Sequence, residues 1–240
     1  MASIRDIETP RSDANARAVG GFKAPAAGTV RVKICGLTNL ADAELAVQNG
    51  AWAIGMILAA DSPRCCSHEE AALIASALRR RAELAGVYVN APLERIERDC
   101  DELGLTLVQL HGDEGPAFAA EVQRRTGARI IKAAQVATAG DVRALDRFHV
   151  DYHLLDTRPK DPARSGLRGG TGETFDWSLA AARRSSVPLI LSGGLDRENV
   201  AAAIAATRPY AVDSASGTES SPGHKDPRRL REFLAEVGRQ

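Results

Sequence analysis

From Arg31 onward the sequence alternates eight times between a short apolar run and a longer amphipathic stretch. The apolar runs are almost continuously hydrophobic, which is typical of parallel strands that are covered by helices. The predicted strands are Val32–Cys35, Trp52–Leu58, Ala85–Val89, Leu107–Leu110, Ile130–Ala134, Tyr152–Asp156, Pro188–Ser192 and Ala211–Asp213. The predicted helices are Asn39 or Leu40 to Gln48, His68–Arg81, Pro92–Glu102, Gly115–Thr126, Ala139–Phe148, Ser178–Arg184, Asp196–Ala206 and Pro227–Val237.

This repeat predicts an α/β fold, a single closed (β/α)8 TIM barrel formed by residues 31–240. An open doubly wound sheet is the structural alternative. It is disfavoured because no GxGxxG fingerprint follows the first strand, which continues as Gly36-Leu37-Thr38. Residues 1–30 contain Pro10, Pro25 and several small residues, with no apolar segment like that of a signal peptide. We expect these residues to form a flexible N-terminal extension.

Charge and cysteine content narrow the class of protein. The chain has 31 basic and 31 acidic side chains, so its charge gives no indication of binding to nucleic acid or to an anionic membrane. No apolar run approaches the roughly 20 residues of a transmembrane helix. The four cysteines lack the CxxC pairs of a zinc site and are too few for a disulfide scaffold. We therefore expect a cytoplasmic protein with reduced thiols and no bound metal.

Two reactive side chains stand where predicted strands end, which is where barrel enzymes carry their chemistry. Cys35 ends the first strand, and Asp156 ends the sixth. A thiol and a carboxylate at one barrel mouth can serve as base and acid. The structural alternatives are an inert core cysteine and an aspartate that only accepts hydrogen bonds.

Two turns rich in glycine and serine indicate a phosphorylated ligand. Gly193 and Gly194 follow the seventh predicted strand, and Ser216 and Gly217 follow the eighth. Glycine lets backbone N–H groups approach a phosphate, and the loops after these two strands commonly hold one in barrel enzymes. We expect these four residues to bind phosphate; the alternative is that the glycines only form tight turns.

Several segments occur together in one order between about residue 31 and the C-terminus: Lys33–Thr38, Val108–Gly112, Leu155–Thr157, Gly169–Gly172, Thr174–Trp177, Leu191–Leu195 and Val212–Glu219, then Pro222-Gly223 and Lys225-Asp226. In combination they resemble the phosphoribosylanthranilate isomerase family. The resemblance implies a cofactor-free isomerase of tryptophan biosynthesis. Its reaction is the Amadori rearrangement of N-(5-phosphoribosyl)anthranilate to 1-(2-carboxyphenylamino)-1-deoxyribulose 5-phosphate.

The resemblance also implies roles for individual residues. Asp156 is then the general acid that protonates the ribose ring oxygen, and Cys35 is the general base that removes the C2 proton. Arg64 would face the anthranilate part and pair with its carboxylate; the alternative is a solvated surface arginine. His111 and Asp213 are expected to contact the substrate, and no proton transfer is assigned to His111.

The same resemblance implies the partners and a covering loop. The expected partner is a small phosphorylated molecule, without metal or redox cofactor, and the expected state is a monomer or homodimer. Gly172 and its neighbours are predicted to form a loop over the mouth, with Lys160 to Arg168 as its mobile part. Leu58–Asp61, Cys65-Cys66 and Ala215 depart from the family's usual residues, changes that we expect to loosen the anthranilate pocket.

Two other functions remain open at this stage. One is a different phosphate-binding barrel, such as indole-glycerol-phosphate synthase or another sugar-phosphate isomerase. The synthase calls for a catalytic lysine and glutamate pair at strand ends. Lys33 lies on the same strand face as Cys35, because residues two apart point the same way, so the direction of its side chain alone does not exclude this alternative. The other is a catalytically silent barrel that binds a phosphometabolite.

Overall fold

The computed structural model describes residues 29–157 and 174–240. Within these ranges, eight parallel strands pair in sequential order, and the first pairs with the eighth to close a barrel. The strands are β1 Arg31–Cys35, β2 Ala53–Ile57, β3 Glu83–Tyr88, β4 Leu107–Leu110, β5 Arg129–Val136, β6 Tyr152–Thr157, β7 Leu189–Leu191 and β8 Ala211–Ser214. The predicted closed barrel is confirmed, and the open sheet is excluded. The predicted extension before residue 29 and the predicted mobile loop from Lys160 to Arg168, with Gly172, lie outside the described residues.

Seven α-helices are present in the described ranges, and they surround the strands. They are α1 Leu40–Gln48, α2 His68–Leu78, α3 Leu93–Leu103, α4 Pro116–Thr126, α5 Ala139–Arg143, α6 Val200–Thr207 and α7 Pro227–Val237. A hairpin of β9 Glu219–Ser221 and β10 His224–Lys225 precedes α7. None of the helices described is both long and apolar enough to cross a membrane.

The helix predicted from Asp196 begins only at Val200, and the helix predicted to end at Arg81 ends at Leu78. Two further predicted helices differ from the structure in type. The segment predicted as the helix Ala139–Phe148 is α-helical only to Arg143 and continues as a 3-10 turn over Ala144–Arg147. The segment predicted as the helix Ser178–Arg184 is a 3-10 helix over Trp177–Ala182. This second helix ends early because the backbone of Arg183 is extended and its guanidinium Nη2 donates to the carbonyl oxygens of Ser185 and Val187.

Helix starts are fixed by local side-chain caps. The Asn39 side chain accepts a hydrogen bond from the backbone N–H of Asp42 at 2.9 Å, and Ser67 does the same for Glu70 at 3.1 Å. Asp226 caps α7, whose first residue is Pro227. Such caps satisfy backbone donors that have no partner within the helix. Each therefore sets where the loop above the barrel ends.

The barrel interior changes character along its axis. At the N-terminal end the rings of Trp52, Tyr152 and Tyr210 contact one another, with centroids 5.3–5.7 Å apart. The middle is apolar and includes Ala53, Ala85, Leu107, Leu154, Ile190 and Ala211. Toward the C-terminal end the buried side chains become polar: Lys33, Gln109, Asp156, Ser192 and Asp213. This gradient places polar chemistry at the C-terminal mouth, as is usual for barrel enzymes.

Candidate active site

A cavity of about 360 Å³ opens at the C-terminal ends of the strands. Five of the nine residues predicted for the site line it: Cys35, Arg64, His111, Asp156 and Asp213. An apolar part of the wall comes from Ile57, Leu58, Val87, Val89 and Pro92. Cys35 on β1 and Asp156 on β6 therefore contribute a thiol and a carboxyl group to one cavity.

Cys35 lies in the barrel interior and is 5% exposed. Its register partner on β2 is Gly55, and a Cβ atom there would stand 2.8 Å from Cys35 Sγ and 3.1 Å from Lys33 Nζ. The glycine therefore leaves the space that both side chains use. Burial raises the pKa of the Cys35 thiol, and the positive charge of Lys33 acts in the opposite direction.

Lys33 is fully buried one layer below Cys35. Its Nζ lies 2.9 Å from Asp213 Oδ1, and Ser192 Oγ donates to Asp213 Oδ2 at 3.2 Å. Burial by itself lowers the pKa of Lys33, but the neighbouring Asp213 carboxylate and Cys35 thiol outweigh it and raise the pKa above its ordinary value. Lys33 is not among the residues that line the cavity. The synthase interpretation, which needs a lysine facing substrate, is weakened accordingly.

Asp156 is 4% exposed and is held from two sides. Its Oδ1 accepts a hydrogen bond from the backbone N–H of Thr157 at 2.8 Å, and its Oδ2 lies 3.3 Å from His111 Nε2. Gln109 Nε2 lies 2.8 Å from His111 Nδ1. If the amide group donates there, the remaining imidazole proton is on Nε2 and faces Asp156. Gln109 and His111 thus orient the carboxyl group.

Arg64 is 7% exposed, so the alternative of a solvated surface arginine is wrong. Its Nε lies 2.9 and 3.0 Å from the two carboxylate oxygens of Glu219, and its Nη2 lies 2.8 Å from Oε2. Lys225 Nζ also contacts Glu219, at 3.3 Å, and donates to the carbonyl oxygen of Cys35 at 2.7 Å. The arginine is thereby fixed in the cavity wall by a carboxylate of the hairpin.

The four predicted phosphate-binding residues do not themselves line the cavity, although their neighbours Ser192 and Ala215 do. Gly193 and Gly194 have φ angles of 91° and 63°, a conformation that favours glycine. A Cβ atom on Gly217 would overlap with the carbonyl oxygen of Leu195, so the two turns pack directly together. Within the part of the chain that the structure describes, the N–H groups of Gly193 and Gly194 donate to no other residue.

Across residues 29–157 and 174–240, no group of histidine, cysteine and acidic side chains is arranged to hold a metal ion. The polar side chains at the mouth are instead paired with one another: Lys33 with Asp213, Arg64 with Glu219, and His111 with Asp156. The arrangement is suited to moving protons and holding an anionic ligand.

Residues 32–236 match the sequence profile of the family described as N-(5'phosphoribosyl)anthranilate (PRA) isomerase. The chain belongs to the PRA isomerase family. It is 45% identical over 207 residues to the N-(5'-phosphoribosyl)anthranilate isomerase of Citrifermentans bemidjiense, covering 86% of this chain and 96% of that one. A relative of the same name from Geobacter sp. strain M21 is 44% identical, with 86% and 97% covered.

Solved structures of PRA isomerases are also similar. The enzyme from Thermotoga maritima superposes with a TM-score of 0.77 at 40% identity, covering 88% of this chain and all of that one. The Thermus thermophilus enzyme gives a TM-score of 0.77 at 36% identity, with 87% and 98% covered. A PRA isomerase in complex with reduced 1-(o-carboxyphenylamino)-1-deoxyribulose 5-phosphate gives 0.74 at 37% identity, with 88% and 100% covered. The family predicted from sequence motifs is thus confirmed, as are the barrel and an isomerase of tryptophan biosynthesis.

Three residues of this PRA isomerase site had no role predicted from the sequence: Gln109 beside His111, Glu219 beside Arg64, and Lys225 beneath Glu219. Gln109 is a polar residue within the apolar run Leu107–Leu110, near its C-terminal end, and that position was the available signal. Glu219 and Lys225 lie in a polar hairpin segment that resembles any exposed loop in sequence. Their burial arises only when the hairpin folds against the mouth.

Proposed function

We propose that this PRA isomerase rearranges N-(5'-phosphoribosyl)anthranilate with Asp156 as general acid and Cys35 as general base. The observation that carries the assignment is that these two side chains, from β1 and β6, are buried in the wall of one cavity. Relatives named for this activity support the choice of substrate. Positioned acid and base groups typically contribute about 10²–10⁴-fold to such proton transfers.

In the first step, the proton of the Asp156 carboxyl group passes to the ribose ring oxygen. The bond from that oxygen to C1 breaks, and the nitrogen lone pair forms a C1=N iminium ion. In the second step, the Cys35 thiolate takes the C2 proton, and the C2–H electrons form a C1=C2 bond while the C=N electrons return to nitrogen. The resulting enolamine tautomerises to the ketone, gaining a proton at C1 and losing the hydroxyl proton at C2.

The remaining predicted residues would bind the two ends of the substrate. We assign the anthranilate carboxylate to Arg64, whose planar guanidinium Glu219 holds in the cavity wall. The apolar side chains of Leu58, Val87 and Val89 offer a surface for the aromatic ring. Asp213 and His111 are assigned to the sugar part of the ligand, since both line the cavity and His111 lies 3.3 Å from Asp156.

The phosphate is assigned to Gly193, Gly194, Ser216 and Gly217. The two turns pack together after β7 and β8, where backbone N–H groups can point at an anion. Phosphate binding would not need a lysine or arginine side chain there, because N–H dipoles alone favour an anion. The atypical Leu58–Asp61 segment lines the cavity together with the apolar side chains assigned to the anthranilate ring, so its effect is assigned to that end.

The proposal includes the setting in which the enzyme works. We assign it a small phosphorylated substrate, no metal or redox cofactor, no nucleic acid or membrane partner, and the cytoplasm as its compartment. Its state is a monomer or a homodimer; one similar Thermotoga maritima structure is of monomers generated from a dimeric enzyme. Sedimentation velocity would distinguish these two states.

The test is an isomerase assay with phosphoribosylanthranilate generated in situ, because it is labile. We expect Cys35→Ser and Asp156→Asn each to lower kcat by about 10²–10⁴-fold. Cys100→Ser and Asp101→Asn on α3 are matched controls outside the cavity and should retain activity. Undiminished turnover in both site variants would refute the mechanism. No turnover by the unmodified protein would favour a barrel that binds without catalysis.

A further inference from the structure

Lys33 has no part in the two proton transfers, yet it lies directly beneath the base. Its side chain is 0% exposed, and its Nζ lies 2.9 Å from Asp213 Oδ1. Its Nζ and the Cys35 Sγ border the same space beside Gly55, where a Cβ atom would lie 3.1 Å from Nζ and 2.8 Å from Sγ. A fully buried lysine is costly unless it is paired, and this one lies between a carboxylate and a thiol.

We propose that Lys33 is a positioning residue whose ammonium group, anchored by Asp213, stabilises the thiolate form of Cys35. The inference rests on the proposed function, in which Cys35 acts as the base. It adds a group that opposes the effect of burial and so increases the thiolate fraction of Cys35. Lys33 does not contact the substrate in this account, since it lies below the cavity wall.

The physical need for such a group follows from the position of Cys35. A thiol removed from water resists ionisation, and burial raises the pKa of Cys35; a nearby positive charge opposes that effect. The charges that act most strongly on Cys35 are Lys33 on the same strand, Asp213 on β8 and Lys225 on β10, while Arg64, His111 and Asp156 line the same cavity. Lys225 bonds the carbonyl oxygen of Cys35 and is shared with Glu219, which also binds Arg64. Lys33 is therefore the cation that acts on the sulfur most directly.

The strands on either side of β1 leave space for the Lys33 and Cys35 side chains to approach each other. Gly55 lies across from Cys35, and any larger residue would place its Cβ 2.8 Å from Sγ and 3.1 Å from Nζ. On the other side, Lys33 and Asp213 occupy the same register position of the β1–β8 pair. Barrel closure thus places a carboxylate next to the lysine and leaves it room to meet the thiol.

The test measures ionisation of Cys35 without relying on catalysis. Thiolate ultraviolet absorbance is titrated for each protein and for the same protein carrying Cys35→Ser, and the difference isolates Cys35. We expect Lys33→Met to raise the Cys35 pKa by about 1–3 units, with the acid limb of the kcat/KM profile moving equally. Asp213→Asn should lower the Cys35 pKa, because the thiolate is then the remaining anion beside the ammonium group.

Lys132→Met is the matched control. Lys132 is also buried and ion-paired, with Glu114 at 2.8 Å, but it is not among the charges that act on Cys35. Its loss should lower stability and leave the Cys35 titration unchanged. If Lys33→Met does not fold, the double variant Lys33→Met/Asp213→Asn, which removes both charges, takes its place. A smaller upward shift is expected there, because the effect of Lys33 on Cys35 exceeds that of Asp213.

An unchanged or lowered Cys35 pKa without Lys33 would overturn the proposal, and so would a rise in both single variants. These outcomes are separate from failure of the proposed function. If Cys35→Ser kept full activity, Cys35 would not be the base, yet the titration would still report whether Lys33 stabilises its thiolate.

Discussion

Each of three buried lysines in the described ranges has a carboxylate partner: Lys33 with Asp213, Lys132 with Glu114, and Lys225 with Glu219. Burying both charges costs desolvation that their attraction only partly returns, so such pairs are weak evidence for stability. Removing one partner is different, because it leaves an uncompensated charge away from water. The Lys132 pair allows this distinction to be tested away from the proposed catalytic groups.

We expect Glu114→Gln to lower the free energy of unfolding by about 3–5 kcal/mol. Glu114 accepts hydrogen bonds from Lys132 Nζ at 2.8 Å and from the backbone N–H groups of Asn90 and Gly112 at 2.7 and 2.9 Å. A glutamine has one acceptor oxygen and turns an NH2 group toward the other donors. Urea unfolding measures the change.

Glu198→Gln is the control for that measurement. Glu198 pairs with Arg197 at the surface, where both side chains are more than half exposed. Exposed pairs contribute about 0–1 kcal/mol, so the variant should unfold nearly as the unmodified protein does. Equal small losses in the two variants would mean that the Glu114 pair is not effectively removed from water.

At the scale of single residues, sequence could predict Cys35 and Asp156 because each directly ends an apolar run. The ion pairs around these two residues could not be predicted in the same way. Glu219 meets Arg64 across 155 positions of chain, and Asp213 meets Lys33 across 180. Such contacts depend on closure of the barrel and on the fold of the hairpin, which no local pattern specifies.

At the scale of elements, glycine marks helix ends that sequence makes visible. Gly104 ends α3 and Gly127 ends α4, with φ angles of 63° and 66°. In each case the glycine N–H bonds back to a helix carbonyl, of Cys100 and of Gln123 respectively. The helix predicted over Ser178–Arg184 offered no comparable stop signal, because Leu-Ala-Ala-Ala favours a regular helix and the Arg183 contacts that end it are tertiary.

Gly104→Ala should destabilise the protein by about 1 kcal/mol, measured by urea unfolding. A left-handed conformation costs a non-glycine residue about 1–2 kcal/mol, and loss of chain entropy in the unfolded state returns about 0.4–1 kcal/mol. Steric contact does not contribute, since a Cβ atom there meets nothing within 4 Å.

Gly115→Ala is the control that separates the cost of the left-handed backbone conformation from the other effects of replacing a glycine. A Cβ atom at Gly115 also meets nothing within 4 Å, but the residue has a φ of -83° that alanine adopts freely. The same loss of chain entropy in the unfolded state should stabilise this variant by up to about 1 kcal/mol, offset in part because alanine is a poorer N-cap than glycine. Similar losses at both positions would show that the left-handed backbone is not the cause.

At the scale of the whole molecule, the barrel could be predicted because all eight strands are buried on both faces and are regularly spaced. The side chains that close the N-terminal end of the barrel could not be predicted from the sequence. Trp52, Tyr152 and Tyr210 lie near the starts of three separate strands, and their rings meet only because β1 pairs with β8 and completes the circle. Closure therefore sets both ends of the interior, the aromatic contacts at one and the Lys33–Asp213 pair toward the other.

The acid stability of the whole fold should depend on His153, which is buried on β6 between the strands and the helices. Its Nε2 lies 3.0 Å from the carbonyl oxygen of Phe148. Burial lowers the pKa of His153 below its ordinary value of 6.5; that hydrogen bond and Asp146 oppose the shift, and Arg183 and His149 reinforce it. As pH falls below about 6.5, His153 therefore binds a proton in the unfolded chain while it stays neutral in the folded protein.

The free energy of unfolding should consequently fall as the pH is lowered from about 6.5 to the pKa of His153 in the folded protein. The decline from this one proton is at most about 1.4 kcal/mol per pH unit. Urea unfolding between about pH 5 and 8 should show a shallower decline for His153→Gln than for the unmodified protein. Comparing the two removes the contribution of carboxyl groups, which titrate in both. His224→Gln removes an exposed imidazole from β10 and should retain the full slope. Parallel curves for all three proteins would exclude His153 as the source, because a buried neutral imidazole must gain its proton on unfolding.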